Sequence, residues 1–399
     1  MTRDCPAMSV RLRSVRDFLF PGAIIAACGG FAGMELQGPG VAGDGRLDTV
    51  LETIRTEHGL PALAAVLVRG RVILEQAAVG SRAAGGQALV TLDDHWHIGS
   101  LTKAVTATLV AVLVERGTVG WSLTVGQAFP GLVDSIRPEY VDVRLDELLQ
   151  HVGGTVEDVT RAPSWRALLT NSSPILVQRR RLAVELLQLP PGGPRGTYRY
   201  SNAGYVIAGA MIEAVTGESW EDLLRRDVFG PLGMTASGFG APGVAGAVTE
   251  PRGHRRVGDG WVPLEPGPFA DNRAALGPAG TVNTTLADYE RFMAAHLAGA
   301  RGEAGGLLSP TTFATLHNPA PGSDYAFGWG VTRRDWAGGT VLVHSGSNTM
   351  WYATVWIAPE RNLAMFAVTN AGGDTGAQGT AAAIVALIAR YDAAYPRGN

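Results

Sequence analysis

Ser100 and Lys103 are the residues whose types and spacing could do chemistry in this chain. A serine hydroxyl is a poor nucleophile until a base takes its proton. A lysine three residues further on lies on the same helix face, close enough to touch that hydroxyl. Its ammonium form cannot accept a proton. Burial lowers a lysine pKa and can leave a neutral amine near pH 7. Arginine cannot take this role, because guanidinium stays charged in proteins. Of 33 basic residues, 32 are arginine and one is Lys103. The composition is biased toward arginine, and the one surviving lysine is a candidate for chemistry that arginine cannot do. Gly99 lets the backbone turn tightly ahead of Ser100. The free N–H groups of a first helical turn favour developing negative charge there.

Two further clusters could complete such a site. Tyr200-Ser201-Asn202 offers a phenol that can pass protons and an amide that can bond both the lysine and a substrate carbonyl. His344-Ser345-Gly346-Ser347 ends a strand candidate. Gly346 removes a side chain where substrate would lie against the strand. The N–H of Ser347, with that of Ser100, would then form an oxyanion hole, an effect worth ~3–4 kcal/mol. Taken singly, each cluster has a plain structural explanation: an exposed Ser–Lys pair, a turn with a buried ring, a strand end with a buried histidine.

Elements that could position these residues follow from periodicity. Residues 46–57 read as a helix with Leu47, Val50, Leu51 and Ile54 on one face, followed by strand candidates at 62–68 and 72–78. The run 104–114 is apolar nearly all round, which suits a buried helix ending at Gly117. Helix-like segments and loops occupy 118–290. Late strand candidates lie at 340–344, 351–358 and 363–369, ahead of an alanine-rich helix at 380–391. Strands at both ends of the chain suggest one sheet built from 46–100 and 325–391, carrying a helical insertion over about 105–290. Arg179-Arg180-Arg181 reads as a solvated helix face.

Composition narrows the classes. Net charge is −3, which argues against a nucleic-acid binder that depends on neutralising phosphates. The 46% hydrophobic content supports a sizeable core. The body of the chain lacks an apolar run of about 18 residues, so it is not a polytopic membrane protein. The two cysteines, Cys5 and Cys28, precede the body, which leaves it no disulfide framework, thiolate metal cluster or cysteine nucleophile. Residues 1–45 read as a leader and linker. Arg11, Arg13 and Arg16 precede the apolar run 18–27, and Ile25-Ala26-Ala27-Cys28 resembles a bacterial lipobox. The expectation is an extracytoplasmic protein, periplasmic, secreted or membrane-anchored through a lipidated Cys28; a leader on a cytoplasmic protein is the alternative. Gly38–Gly45 reads as a flexible tether.

Ser100-Leu101-Thr102-Lys103, Tyr200-Ser201-Asn202 and His344-Ser345-Gly346, in this order, resemble the motifs of the serine β-lactamase-related family. That family contains class C β-lactamases, D-alanyl-D-alanine carboxypeptidases and related esterases. Leu148-Leu149-Gln150-His151, Gly277-Pro278-Ala279-Gly280 and Phe327-Gly328-Trp329-Gly330 resemble further stretches of it. The likeness spans about 47–391 and implies one hydrolase domain over 46–391. The implied fold class is α/β of the α+β kind: an antiparallel sheet flanked by helices, with an inserted helical subdomain. The implied activity is acyl transfer through an acyl-serine released by water, on a small-molecule or peptide substrate and without a cofactor. By the same resemblance Ser100 is the nucleophile, Lys103 the adjacent proton acceptor and Tyr200 the second proton carrier. Asn202 positions substrate, His344 and Gly346 line the pocket, and Ser347 gives the second oxyanion N–H.

His344 stands where typical β-lactamases carry lysine. A neutral imidazole pairs poorly with a substrate carboxylate at pH 7. This favours a D-alanyl carboxypeptidase-like or esterase-like enzyme over a class C β-lactamase, and a catalytically inactive ligand-binding homologue is the reading from another class. His95-Trp96-His97 after Asp93-Asp94 raises a metal hydrolase as a rival, though the other histidines are scattered. His151 reads as structural.

Overall fold

The computed structural model describes residues 40–303 and 306–396. The lipobox-like segment and both cysteines lie outside the described residues. Among those described, the strands are β1 (Ala62–Arg69), β2 (Val72–Gly80), β3 (Trp96–His97), β4 (Gly238–Phe239), β5 (His254–Val257), β6 (Gly260–Pro263), β7 (Val282–Thr284), β8 (Gly330–Arg334), β9 (Gly339–Ser347), β10 (Tyr352–Ala358) and β11 (Leu363–Thr369). The longer helices are α1 (Leu47–Glu57), α2 (Thr102–Glu115), α3 (Ile175–Gln188), α4 (Asn202–Thr216), α5 (Leu286–Ala300) and α6 (Gly373–Ala394).

The main sheet has the order β2-β1-β11-β10-β9-β8, and every neighbouring pair is antiparallel. Its centre is buried on both faces, which is why β1 and β11 are nearly unbroken apolar runs rather than alternating ones. Leu63, Leu67 and Met365 pack with Leu47, Leu51 and Leu387 of α1 and α6. Val66, Val68 and Phe366 belong to the larger cluster on the other face, with Tyr289 and Phe292 of α5. Helix α2 runs within that larger cluster, buried from Thr102 to Leu113, as its all-round apolar sequence requires.

Several elements differ from the sequence expectation. β8 was hidden because Thr332-Arg333-Arg334 carries little apolar signal on an edge strand. β9 continues to Ser347 because Gly346 and Ser347 still pair with Ala353 and Tyr352. The last helix starts at Gly373; glycines at 373, 376 and 379 masked its first turns, being poor helix formers. The middle of the chain holds β4 to β7 as well as helices. The stretch read as a tether is bound from Val41: Ala42 N donates to Arg390 O at 3.1 Å, and Arg390 pairs with Asp44 at 2.5 Å and Glu75 at 2.7 Å.

Arg179 corrects the reading of the arginine run as a solvated face. Consecutive helical residues point ~100° apart, so three in a row cannot share one face. Arg180 and Arg181 are exposed, whereas Arg179 is fully buried and paired with Glu213 of α4 and Glu221.

Candidate active site

Ser100 lies in the tight turn Gly99–Leu101 that runs straight into α2. Strand β9 passes directly over this turn, and two glycines permit the approach. Gly99 has φ +52, and a Cβ on it would collide with the Ser347 nitrogen. A Cβ on Gly346 would stand 2.6 Å from the Ser100 nitrogen. Side chains at either position would force strand and turn apart. The glycine pair therefore brings the Ser100 and Ser347 N–H groups together, as the two-donor oxyanion arrangement requires.

Lys103, one helical turn on, is fully buried. Its Nζ lies 3.1 Å from Ser100 Oγ, 2.8 Å from Asn202 Oδ1 and 2.7 Å from Ala279 O. The Tyr200 ring centroid is 4.8 Å away. These neighbours are neutral, and burial pushes the amine pKa well below the ordinary lysine value. A neutral amine has two N–H donors and one lone pair. The two shorter contacts take the donors, which leaves the lone pair for the Ser100 hydroxyl.

Asn202 is placed by the start of α4. Ser201 is the N-cap: its Oγ accepts from Gly204 N at 3.1 Å and donates to Val156 O at 2.5 Å. Ser201 N donates to His151 Nδ1 at 3.1 Å, so His151 serves to hold this turn, as its structural reading expects. Tyr200 shares a hydrogen bond with Ser100, but burial dominates and pushes its phenol pKa up. It is thus a neutral proton donor at rest.

His344 sits beside Tyr200, with ring centroids 6.4 Å apart. Its Nδ1 lies 2.7 Å from Ser345 O and its Nε2 3.1 Å from the Tyr325 hydroxyl. A carbonyl can only accept, so Nδ1 carries the hydrogen and Nε2 accepts from Tyr325. Burial lowers the imidazole pKa to about 3. His344 is a neutral wall of the site.

With this geometry in hand, relatives can be compared. The model of the family described as Beta-lactamase matches residues 47–390. The chain belongs to the β-lactamase family. Penicillin-binding protein 4 of Amycolatopsis lactamdurans is 30% identical over 331 residues, covering 80% of this chain and 84% of that protein. A D-amino acid amidase structure from Ochrobactrum anthropi, complexed with L-phenylalanine amide, superimposes with TM-score 0.68 at 22% identity, covering 87% of this chain and 99% of that one. A class C β-lactamase structure from Rhodobacter sphaeroides gives TM-score 0.65 at 19% identity, covering 86% and 99%. These two likenesses establish the fold. As a member of the β-lactamase family with such relatives, the protein is a serine hydrolase.

Within this family fold, the structure brings together all seven sequence-predicted site residues: Ser100, Lys103, Tyr200, Asn202, His344, Gly346 and Ser347. It adds others that sequence reasoning missed. Ala279 enters through its carbonyl, which no side-chain signal reports, although the Gly-Pro-Ala-Gly stretch had marked the place. Tyr325 donates to His344 Nε2 in the tautomer that the Ser345 carbonyl fixes. Asp271 Oδ1 receives Asn348 Nδ2 at 3.1 Å and lies 2.8 Å from His97 Nε2, an electrostatic contact rather than an aligned hydrogen bond. His97 Nδ1 accepts from Gly99 N at 3.1 Å. One carboxylate thus touches the neighbours of both Ser100 and Ser347. His95 faces a different carboxylate, Glu250, at 3.0 Å. Among the described residues, no group of three or more metal-ligating side chains comes together.

Proposed function

We propose that the protein hydrolyses an ester, amide or peptide carbonyl through an acyl-Ser100 intermediate, in the manner of a D-alanyl carboxypeptidase or esterase. The observation that carries this is the buried amine of Lys103, 3.1 Å from Ser100 Oγ and surrounded by neutral acceptors. Lys103 takes the hydroxyl proton as Oγ bonds to the carbonyl carbon. The carbonyl oxygen becomes an oxyanion against the N–H groups of Ser100 and Ser347. As the scissile bond breaks, the leaving group takes a proton supplied by way of Tyr200, which is replenished from Lys103. Water then adds to the acyl ester, and the proton it loses returns to Ser100 Oγ as the acid departs. Asn202 holds both the amine and the substrate carbonyl side.

Neutral His344 supplies no fixed cation for a carboxylate beyond the scissile bond, which favours this reading over class C β-lactamase action. Intact-protein mass spectrometry after exposure to a penicillin, a short-chain nitrophenyl ester and a D-alanyl peptide tests it. The expected result is turnover of the ester or the peptide, with the penicillin leaving a persistent adduct on Ser100. Rapid release of hydrolysed penicillin would favour the β-lactamase reading instead. Loss of no adduct mass in Ser100→Ala would remove Ser100 from the role. The leader supports an extracytoplasmic protein anchored through Cys28; a mature N-terminus other than a lipidated Cys28 would overturn the anchor.

A further inference from the structure

A cavity of about 480 Å³ is lined in part by Thr281, two residues after Ala279, and its chemistry bears on which substrates that reading admits. Asn272, Arg273 and Thr281 form one wall, and Leu168 and Phe239 give it an apolar body. The wall abuts the reaction centre. Asn272 Nδ2 donates to Gly280 O at 2.8 Å, and a Cβ on Gly280 would stand 3.6 Å from the Gly99 carbonyl carbon.

The charges in this cavity are unevenly committed. Its Glu221 is paired with Arg179 at 2.6 Å. Its Asp271 is taken up by Asn348 and His97. Arg273 has no such partner: its guanidinium carbon lies 4.5 Å from the Trp165 ring centroid, and its Nε is buried without a hydrogen bond. Among the described residues, no carboxylate lies within salt-bridge distance of it. A buried guanidinium donor left unmade is costly, and the geometry of the group matches a carboxylate. The aromatic ring fixes its plane without satisfying its N–H groups.

We propose that this cavity takes the acyl arm of the substrate and that Arg273 pairs there with a carboxylate carried on that arm. The inference rests on the acyl-Ser100 reading. The leaving group must lie against Tyr200, whose ring clusters with His344 and Tyr325. On this proposal the arm that stays on Ser100 runs away from Tyr200, past Gly280 and Asn272. The substrate class is therefore an acyl donor with an apolar acyl chain ending in a carboxylate.

Two nitrophenyl esters test this, the monoester of glutaric acid and its neutral counterpart of valeric acid. The native enzyme should prefer the glutarate ester by at least about 10-fold in kcat/KM, as a charge-assisted hydrogen bond predicts. Arg273→Gln should bring that ratio close to one, and Arg273→Lys should keep part of it. A native ratio near one, or a ratio that survives Arg273→Gln, overturns the proposal. A second arm is independent of turnover: glutaric monoamide should bind Ser100→Ala by calorimetry, and adding Arg273→Gln should weaken that binding by a similar factor. If neither ester reacts, the esterase form of the acyl-Ser100 reading fails while the binding arm still decides the fate of Arg273.

Discussion

The proposed chemistry turns on Lys103, and the surroundings of its amine make its charge state testable. Replacement by arginine would put a permanent charge among neutral oxygens in a fully buried position. Lys103→Arg should therefore lose both acylation and thermal stability. Lys103→Met should lose acylation by at least ~100-fold, the scale of acid–base help, without burying a charge. Burst kinetics with a nitrophenyl ester and thermal unfolding measure the two effects; an arginine variant that acylates normally would rule out a neutral-amine base. Asp271 offers a second test, because its carboxylate touches Asn348 and His97, the neighbours of the two oxyanion segments. Asp271→Ala should lower kcat by about 10-fold or more with little change in KM, since only the transition state develops the oxyanion. Asp271→Asn keeps an accepting oxygen and should recover most of that loss. Equal damage to KM would assign Asp271 to substrate binding instead.

At the scale of elements, the site is a set of helix starts pressed against one strand. α2 follows directly on the Ser100 turn, α4 begins at Asn202, and β9 closes over both residues of the Gly99–Ser100 step. The Gly346 position is the point of greatest sensitivity, because a methyl group there meets backbone rather than a side chain that can move. Gly346→Ala should cost about 100-fold in kcat, the scale of removing one oxyanion donor. Its circular dichroism should stay native. A variant with unchanged kcat would show that β9 does not set the spacing. The apolar patterns of α1, α2, β1, β2, β10 and β11 were legible in the sequence because each runs over seven or more residues and packs apolar side chains into the buried clusters. The short strands β3, β4 and β7 were not, since pieces of two or three residues carry no period and exist only through pairing. Arg179 was misread for a related reason: its burial depends on Glu213 and Glu221, which lie 34 and 42 residues away.

The whole molecule carries a population of buried histidines that should govern its behaviour in acid. Burial lowers His254 to about 4 and His317 and His344 to about 3, and drives His151 and His296 down as well. Each is lower in the folded state than its ordinary value of ~6.5, so between these limits the unfolded chain binds more protons. Stability should be complete above ~6.5 and should fall as pH drops toward 3–4. Urea unfolding at successive pH values measures this; a midpoint that does not move between pH 7 and 5 would contradict neutral burial of the group. By itself, the sequence marked the Ser100–Lys103 pair and the ordered motifs around it as the candidate site. Ser100 and Lys103 meet through local helical spacing, and a lone lysine among arginines draws attention to that pair. Only the tertiary structure decided the Ala279 carbonyl, the Asp271 contacts, the tautomer of His344 and the unpaired Arg273. Those depend on approaches between distant segments, 176 residues apart for Lys103 and Ala279, and on backbone groups that are the same in every residue type.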